Sequence, residues 1–351
     1  MMKQFKYYGS WLLIALATVL LIASPVNAKA KAKKQNIPTE SKATFMLMPE
    51  LPGDNLGGDH LGYFNLSMKK QKTREVRLKL FNPTSHSMTV YGQVKNATTN
   101  DNGSVDYLGT NRINTQLLPQ PGSELVTVPK KTKLQPNETK WLTVKIKRGA
   151  QLFKGQKATA INLSAYQFNQ NTTIKNHFVY AIGLILNGQK LAKTDYKKIE
   201  SPKIKTRFVA KKAAISVRID NPDPTYLTKA TIDVTLQNKK WGLIKYQSSR
   251  KNRKIAPNSS FYDNLMLGGK RLVPGVYQMT LTVKSAQYQR TIHKYVKITK
   301  SDASYINRYN YEYLKNRNLI LLGIVCLLVI IGTIVGFRFR RKRDLNAKNG
   351  E

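Results

Sequence analysis

Nineteen consecutive residues, Leu319 to Phe337, carry no charge, and five of the next six (Arg338, Arg340, Arg341, Lys342 and Arg343) are basic. As a helix such a run measures about 28 Å, close to the thickness of a bilayer's hydrocarbon core. The basic cluster reads as a stop-transfer signal that holds its side of the membrane in the cytoplasm. The expectation is a transmembrane helix over 319–337, after a juxtamembrane stretch over 302–318 and before a basic tail over 338–351. At the other end, Lys3 and Lys6 precede the apolar run Trp11 to Ile22, and Val26-Asn27-Ala28 supplies small residues. That order predicts a secretory signal peptide over 1–28, cut after Ala28. The chain is therefore expected in the plasma membrane as a single-pass type I protein, with its large middle part outside the cell.

Charge narrows the partners. The chain has 59 Lys and Arg against 19 Asp and Glu, a net charge of +40. A field of that sign favours an anionic setting: wall polymers that bear phosphate, lipid head groups or an acidic protein. It raises encounter rate and non-specific affinity without choosing among them, and a general lysine bias would give the same number. Nucleic acid is excluded as a partner, because the chain is read as exported and has no helix-turn-helix, zinc-finger or aromatic RNA-binding signature. The one cysteine, Cys326, falls inside the predicted span. The external part thus has no intrachain disulfide and must hold itself by packed cores.

Those cores are predicted to be β. After a basic spacer over 29–43, apolar and polar residues alternate at Val76/Leu78/Leu80, Leu142/Val144/Ile146, Ile215/Val217/Ile219, Ile232/Val234/Leu236 and Tyr277/Met279/Leu281/Val283. A period of two marks strands with one face on a core and one in water. Turn dipeptides separate them, among them Asn82-Pro83, Asn102-Gly103, Pro136-Asn137, Asn221-Pro222 and Pro257-Asn258. The pattern also repeats. Val76-Arg77-Leu78-Lys79-Leu80-Phe81-Asn82-Pro83 recurs as Ile215-Ser216-Val217-Arg218-Ile219-Asp220-Asn221-Pro222, and Leu134-Gln135-Pro136-Asn137 as Ile255-Ala256-Pro257-Asn258. The fold expected is all-β: two tandem immunoglobulin-like antiparallel sandwiches over 44–198 and 199–301, the first enlarged between Asn96 and Pro129. No amphipathic helix is predicted between the terminal segments.

Phe45-Met46-Leu47-Met48-Pro49, Gly62-Tyr63-Phe64-Asn65-Leu66 and Ala97-Thr98-Thr99-Asn100-Asp101-Asn102-Gly103 with Tyr107 resemble the first domain of the WxL-interacting proteins. Ile255-Ala256-Pro257-Asn258-Ser259 and Leu272-Val273-Pro274-Gly275-Val276-Tyr277 resemble the second domain of that family. One departure is Phe153-Lys154-Gly155, which lacks the acidic residue expected before the glycine. The resemblance implies a surface protein of Gram-positive bacteria facing the cell wall. Its first domain would bind peptidoglycan, its second would engage host matrix protein, and secreted WxL-domain proteins would associate with it.

No enzymatic chemistry is predicted. His60, His86, His177 and His293 lack metal-ligand spacing, and there is no nucleophile elbow, S-x-x-K or glycine-rich phosphate loop. No metal or cofactor is expected. For ligand binding the residues singled out are Asn100, Asn102 and Tyr107, in a loop of amides and hydroxyls that ends in an aromatic able to stack on a sugar. The same residues equally serve as turns, with Tyr107 filling a core. For a protein or polymer partner they are Trp241, Arg250 and Arg253, in basic segments that equally serve as solvated surface. Three functional classes fit: a membrane-anchored scaffold binding wall polymer and protein, a host-matrix adhesin with incidental wall contact, and an assembly chaperone that lends a strand edge.

Overall fold

The computed structural model describes residues 44–69, 73–147, 153–166, 177–201, 203–286 and 288–348. The expected signal peptide and spacer lie outside them. The described chain is mostly β, with one apolar helix near its C-terminus.

The first hydrophobic core is shared by two sheets. One is four-stranded in the order β1 (Met46–Glu50), β3 (Thr73–Phe81), β9 (Thr139–Lys147), β7 (Val126–Thr127). The other is five-stranded in the order β2 (Phe64–Ser67), β11 (His177–Asn187), β10 (Gln156–Tyr166), β4 (Met88–Asn96), β8 (Lys131–Leu134). The alternating residues do as their period requires: Val76, Leu78 and Leu80 of β3 and Leu142, Val144 and Ile146 of β9 are all buried. Strand β10 is buried on both faces, because the segment after β6 (Val105–Asp106) crosses it and Asn162 Nδ2 donates to the Leu108 carbonyl at 3.1 Å. Hence the small Ala158 and Ala160 on that covered face. One pairing departs from the antiparallel expectation: β2 runs parallel to β11. These strands are joined through most of the first unit, so no tight hairpin dictates their direction.

The second core lies between the sheets β12 (Ile204–Val209), β13 (Lys212–Asn221), β16 (Ser259–Met266) and β15 (Lys245–Ile255), β14 (Leu227–Asn238), β17 (Gly275–Lys284), β18 (Gln289–Ile298). Ile215, Val217 and Ile219 face Ile232, Val234, Leu236, Tyr277, Met279 and Leu281 across it. Helix α1 (Lys300–Tyr309), which the sequence pattern did not predict, closes this core with Ala303 and Ile306. Thr299 caps it, its hydroxyl accepting from the Asp302 N–H at 3.1 Å. Asn310 then ties the chain to the loop after β16 through Nδ2 to the Gly268 carbonyl (3.1 Å), and helix α2 (Tyr311–Lys348) leaves the body. Among the described residues this is the one helix long and apolar enough to cross a membrane, and its apolar stretch is unburied.

The sequence repeat has a structural cause. Asn82 is fully buried; its Nδ2 donates to the carbonyls of His86 and Gln135, both at 2.8 Å, and its Oδ1 accepts from the Thr84 N–H at 3.0 Å. In the second unit the equally buried Asn221 donates to the carbonyls of Thr225 (3.3 Å) and Ala256 (2.9 Å) and accepts from the Asp223 N–H (3.3 Å). Each Asn therefore ties the end of a central strand to the turn that opens a later one. In those turns Asn137 and Asn258 take φ of 54° and 48°, a left-handed conformation asparagine tolerates well. Replacing Asn82 or Asn221 by Ala removes the hydrogen bonds of a fully buried amide that joins two segments, so each change is expected to cost about 1–3 kcal/mol. The check is the urea midpoint of each variant; a shift worth less than about 0.5 kcal/mol, the range of an ordinary surface change, would contradict it.

Candidate functional site

The loop over Asn96–Tyr107 lies where the two units meet. Asn100 Oδ1 accepts from the N–H groups of Asn102 (2.9 Å) and Ser104 (3.1 Å), which closes the turn between β5 (Thr98–Thr99) and β6. Asn102 is exposed. Gly103 at φ +69° presses on the Arg253 side chain, to which an added Cβ would approach within 3.0 Å, and its carbonyl accepts from the Lys254 N–H at 3.1 Å. Tyr107 lies over Gly183 and shares a hydrogen bond of 3.1 Å with the Tyr226 hydroxyl of the second unit. Burial pushes the pKa of both phenols up, so the pair stays neutral.

Further contacts complete the joint. Thr99 is buried; its hydroxyl accepts from the Ala256 N–H (2.9 Å) and pairs with the Ser259 hydroxyl (2.7 Å). Asp101 takes the Arg207 guanidinium and accepts from the Tyr262 N–H at 3.2 Å. The Gln156 N–H donates to the Pro224 carbonyl at 2.6 Å. Gly155 sits against that carbonyl at φ +74°, where an added Cβ would lie 2.4 Å away, so only glycine fits. Lys154 before it is paired with Asp195 at 3.0 Å. Beside the joint is an open cleft of about 460 Å³, lined by Asp101, Arg112, Arg207, Arg218 and Tyr262 among others. Asp106 braces the crossing segment. Burial opposes its charge, but the Thr110 hydroxyl and the N–H groups of Leu108, Thr110 and Asn111 together hold its carboxyl below the usual range.

The residues marked for a partner are not brought together. Trp241 stands exposed at the tip of the β14–β15 hairpin, whereas Arg250 and Arg253 lie along β15. Arg253 is eight strand residues beyond Lys245, about 26 Å. Arg250 pairs with the buried Asp263, whose carboxyl burial pushes up in spite of the guanidinium.

A feature that sequence reading missed lies on the outer face of the five-stranded sheet. Tyr166 is 55% exposed and stacks on His177 with ring centroids 4.6 Å apart, and Tyr91 meets Tyr166 edge-on at 6.5 Å. Lys131 Nζ lies 5.9 Å from the Tyr91 ring, and Gln93, Ser164 and Val179 share the face. These side chains form a ledge across four strands, about 14 Å wide. It stands at the Tyr166 end of β10, whereas Gln156 at the other end belongs to the joint. The residues are far apart in sequence and share a place only through the register Tyr166↔His177 and Ser164↔Tyr91.

The described residues thus comprise two β units joined at a polar seam, an exposed aromatic ledge and one long apolar helix. Residues 45–165 match the WxL Interacting Protein peptidoglycan binding domain, and residues 169–308 match the WxL Interacting Protein host binding domain. The chain belongs to the WxL Interacting Protein family. The second match begins ahead of β11, although β11 pairs with β10 and contributes Leu184 and Leu186 to the first core. A search of curated proteins returned no match. Among solved structures, the chain is similar at 11% identity to the CsuC–CsuE chaperone–tip adhesion subunit complex of Acinetobacter baumannii, with TM-score 0.32 and coverage of 72% of this chain and 98% of that one. It is similar at 14% identity to the YadV chaperone, with TM-score 0.29 and coverage of 73% and 100%. For the CupB2 chaperone of Pseudomonas aeruginosa the identity is 14%, the TM-score 0.25 and the coverage 64% and 92%. These likenesses are distant.

The joint can be tested at one hydroxyl. Thr99→Val keeps the side chain's shape but leaves the buried Ala256 N–H without its acceptor, and should cost about 1–3 kcal/mol. Amide exchange at Ala256 is expected to quicken while the strand that Asn82 holds stays protected; unchanged exchange at Ala256 would contradict the assignment.

Proposed function

We propose that this chain is a membrane-anchored scaffold of the Gram-positive cell surface, exported by a cleaved signal peptide and held by α2 with its basic tail in the cytoplasm. The first unit binds peptidoglycan and the second binds a protein, either a WxL-domain surface protein or a host matrix protein. Both units are read as immunoglobulin-like sandwiches with no catalytic role. The observation that carries the reading is the order of the two matched domains followed by one apolar helix.

Within the first unit the aromatic ledge suits a glycan. Sugar rings present C–H faces that stack on aromatic rings, and Gln93 and Ser164 can hydrogen-bond ring hydroxyls. Lys131 adds a positive charge beside the rings, complementary to the carboxylates of wall glycopeptide. Asn100 and Tyr107 are committed to the turn and the joint, so sugar contact is assigned to Tyr91, Tyr166 and His177. The ledge and the exit of α2 lie at opposite ends of the two-unit body. With β10 and β14 laid end to end, up to about 70 Å separates wall contact from membrane.

Co-sedimentation of the full chain with purified sacculi stripped of teichoic acid tests this at high salt, where charge attraction is screened. Tyr166→Ala combined with His177→Ala is expected to weaken binding at least tenfold, as loss of a binding hot spot does, with the unfolding midpoint unchanged. Binding that survives the double change would move the glycan site elsewhere on the unit. Binding that vanishes with salt in the parent chain would remove specific wall recognition altogether.

A further inference from the structure

The end of the second unit from which the membrane helix departs has features that neither wall nor matrix binding uses. Strand β14 ends there at Asn238, level with Tyr277 of β17, and Gly275 is level with Ile298, where β18 passes into α1. The β14–β15 hairpin projects beyond this edge as Lys239-Lys240-Trp241-Gly242-Leu243-Ile244. Trp241 is 58% exposed and Leu243 fully exposed, two large apolar side chains on one short hairpin tip in water. The tip is preformed. Asn238 Oδ1 accepts from the N–H groups of Lys240 (3.0 Å) and Trp241 (2.9 Å), the Ile244 N–H donates to the Trp241 carbonyl (2.8 Å), and Gln237 Nε2 donates to the Gly242 carbonyl (3.1 Å). Lys240 Nζ sits 5.4 Å from the indole ring.

The charge at this end has one sign in its loops. Lys239, Lys240 and Lys245 flank the tip, and the loop after β16 adds the exposed Lys270 and Arg271, with no acid in either segment. The helices bring carboxylates to this end: Asp302 in the first turn of α1 and Glu312 in the first turn of α2, the latter beside Gly268. The loop after β16 is also where α2 begins, since Asn310 is bonded to Gly268. From Tyr311 to Leu319 is eight residues of helix, about 12 Å. The polar layer on one side of a bilayer is about 5–8 Å deep. The helix exit therefore stands within about 7 Å of the head groups, inside the reach of an anionic surface. Tyr311 and Tyr313 on the first turn of α2 would sit at the same interface, where tyrosine and tryptophan are enriched.

We propose that the Trp241–Leu243 hairpin docks on the anionic head groups of the membrane that α2 spans, with its two apolar side chains in the interface and the flanking lysines on lipid phosphates. The second unit is thereby held at two points, the helix and the hairpin, and presents its remaining surface in a fixed orientation. The proposal rests on the reading of α2 as the anchor. An amphipathic loop with a basic surround is the chemistry that such an interface selects, and each lysine close to an anionic surface strengthens partition about fivefold.

The chain has three tryptophans, Trp11, Trp141 and Trp241. With Trp11→Phe and Trp141→Phe, Trp241 alone reports. The full chain is placed in nanodiscs of acyl-brominated phosphatidylglycerol or acyl-brominated phosphatidylcholine, and its emission is compared with that in unbrominated discs. A control chain, with all three tryptophans changed to Phe and Leu328→Trp added within the span, reports on the anchor. Most of the Trp241 emission is expected to be lost in brominated phosphatidylglycerol and much less in phosphatidylcholine. Lys239→Glu with Lys240→Glu, both exposed, should restore it. If Leu328→Trp is quenched while Trp241 is not, or is quenched equally in both lipids, the proposal is overturned and the anchor stands. If Leu328→Trp escapes quenching, the anchor reading falls and the proposal with it.

Discussion

Two buried asparagine side chains hold the architecture together, and the joint between the units is built on one of them. In a sheet pair without a disulfide, a central strand that ends at a proline loses its ladder and leaves carbonyls facing the interior. Asn82 and Asn221 answer this with the same donor and acceptor pattern: one amide reaches forward four residues and across to a distant turn, and the Oδ1 atom takes the N–H two residues on. Because the amide bonds both segments at once, it couples the strand end to the turn. The cores then need only apolar side chains of period two on either side.

The second of these locks has an added duty. Ala256 gives its carbonyl to Asn221 and its N–H to Thr99, and the Ser259 hydroxyl bridges the Ala256 carbonyl and Thr99. The corresponding turn of the first unit, Gln135 to Glu138, instead closes on its own Glu138 side chain at 2.6 Å and stays largely exposed. A duplicated motif has thus diverged in one copy into a socket. The first unit's enlargement between Asn96 and Pro129 supplies what fills it: Thr99, Asp101 and Tyr107, with Asn114 donating to the Ser260 hydroxyl at 3.0 Å. Most of these bonds sit in a partly dry seam where an unmade bond is costly, which favours a single arrangement of the two units.

What could be read from sequence divides along the range of the interactions. The alternating strands were legible because period two is local, and every apolar residue named from it in β3, β9, β13, β14 and β17 is buried. The repeat was legible as a pattern, but the bond from Asn82 to Gln135, 53 residues away, was not. Helix α1 was missed because it buries only Ala303 and Ile306, too few positions to make a period. The loop at Asn100–Tyr107 reads as a polar surface loop, since nothing local says that a second unit will cover Tyr107. The ledge of Tyr91, Tyr166 and His177 was invisible for the converse reason: each residue alone is an ordinary outward strand position, and only cross-strand register gathers them.

The distribution of charge and aromatic surface gives the large net charge a direction. At the end away from the joint, the first unit presents aromatic rings, two amide or hydroxyl side chains and a single lysine within the ledge. At the opposite end of the second unit, lysine and arginine flank an exposed indole and leucine. A field spread evenly over the surface would draw the chain to any polyanion. Lysines clustered beside apolar tips act with burial instead, and the joint sets how far the ledge stands from them. On the function proposed above, charge would orient the molecule, and stacking at the ledge, which salt does not screen, would supply the selection.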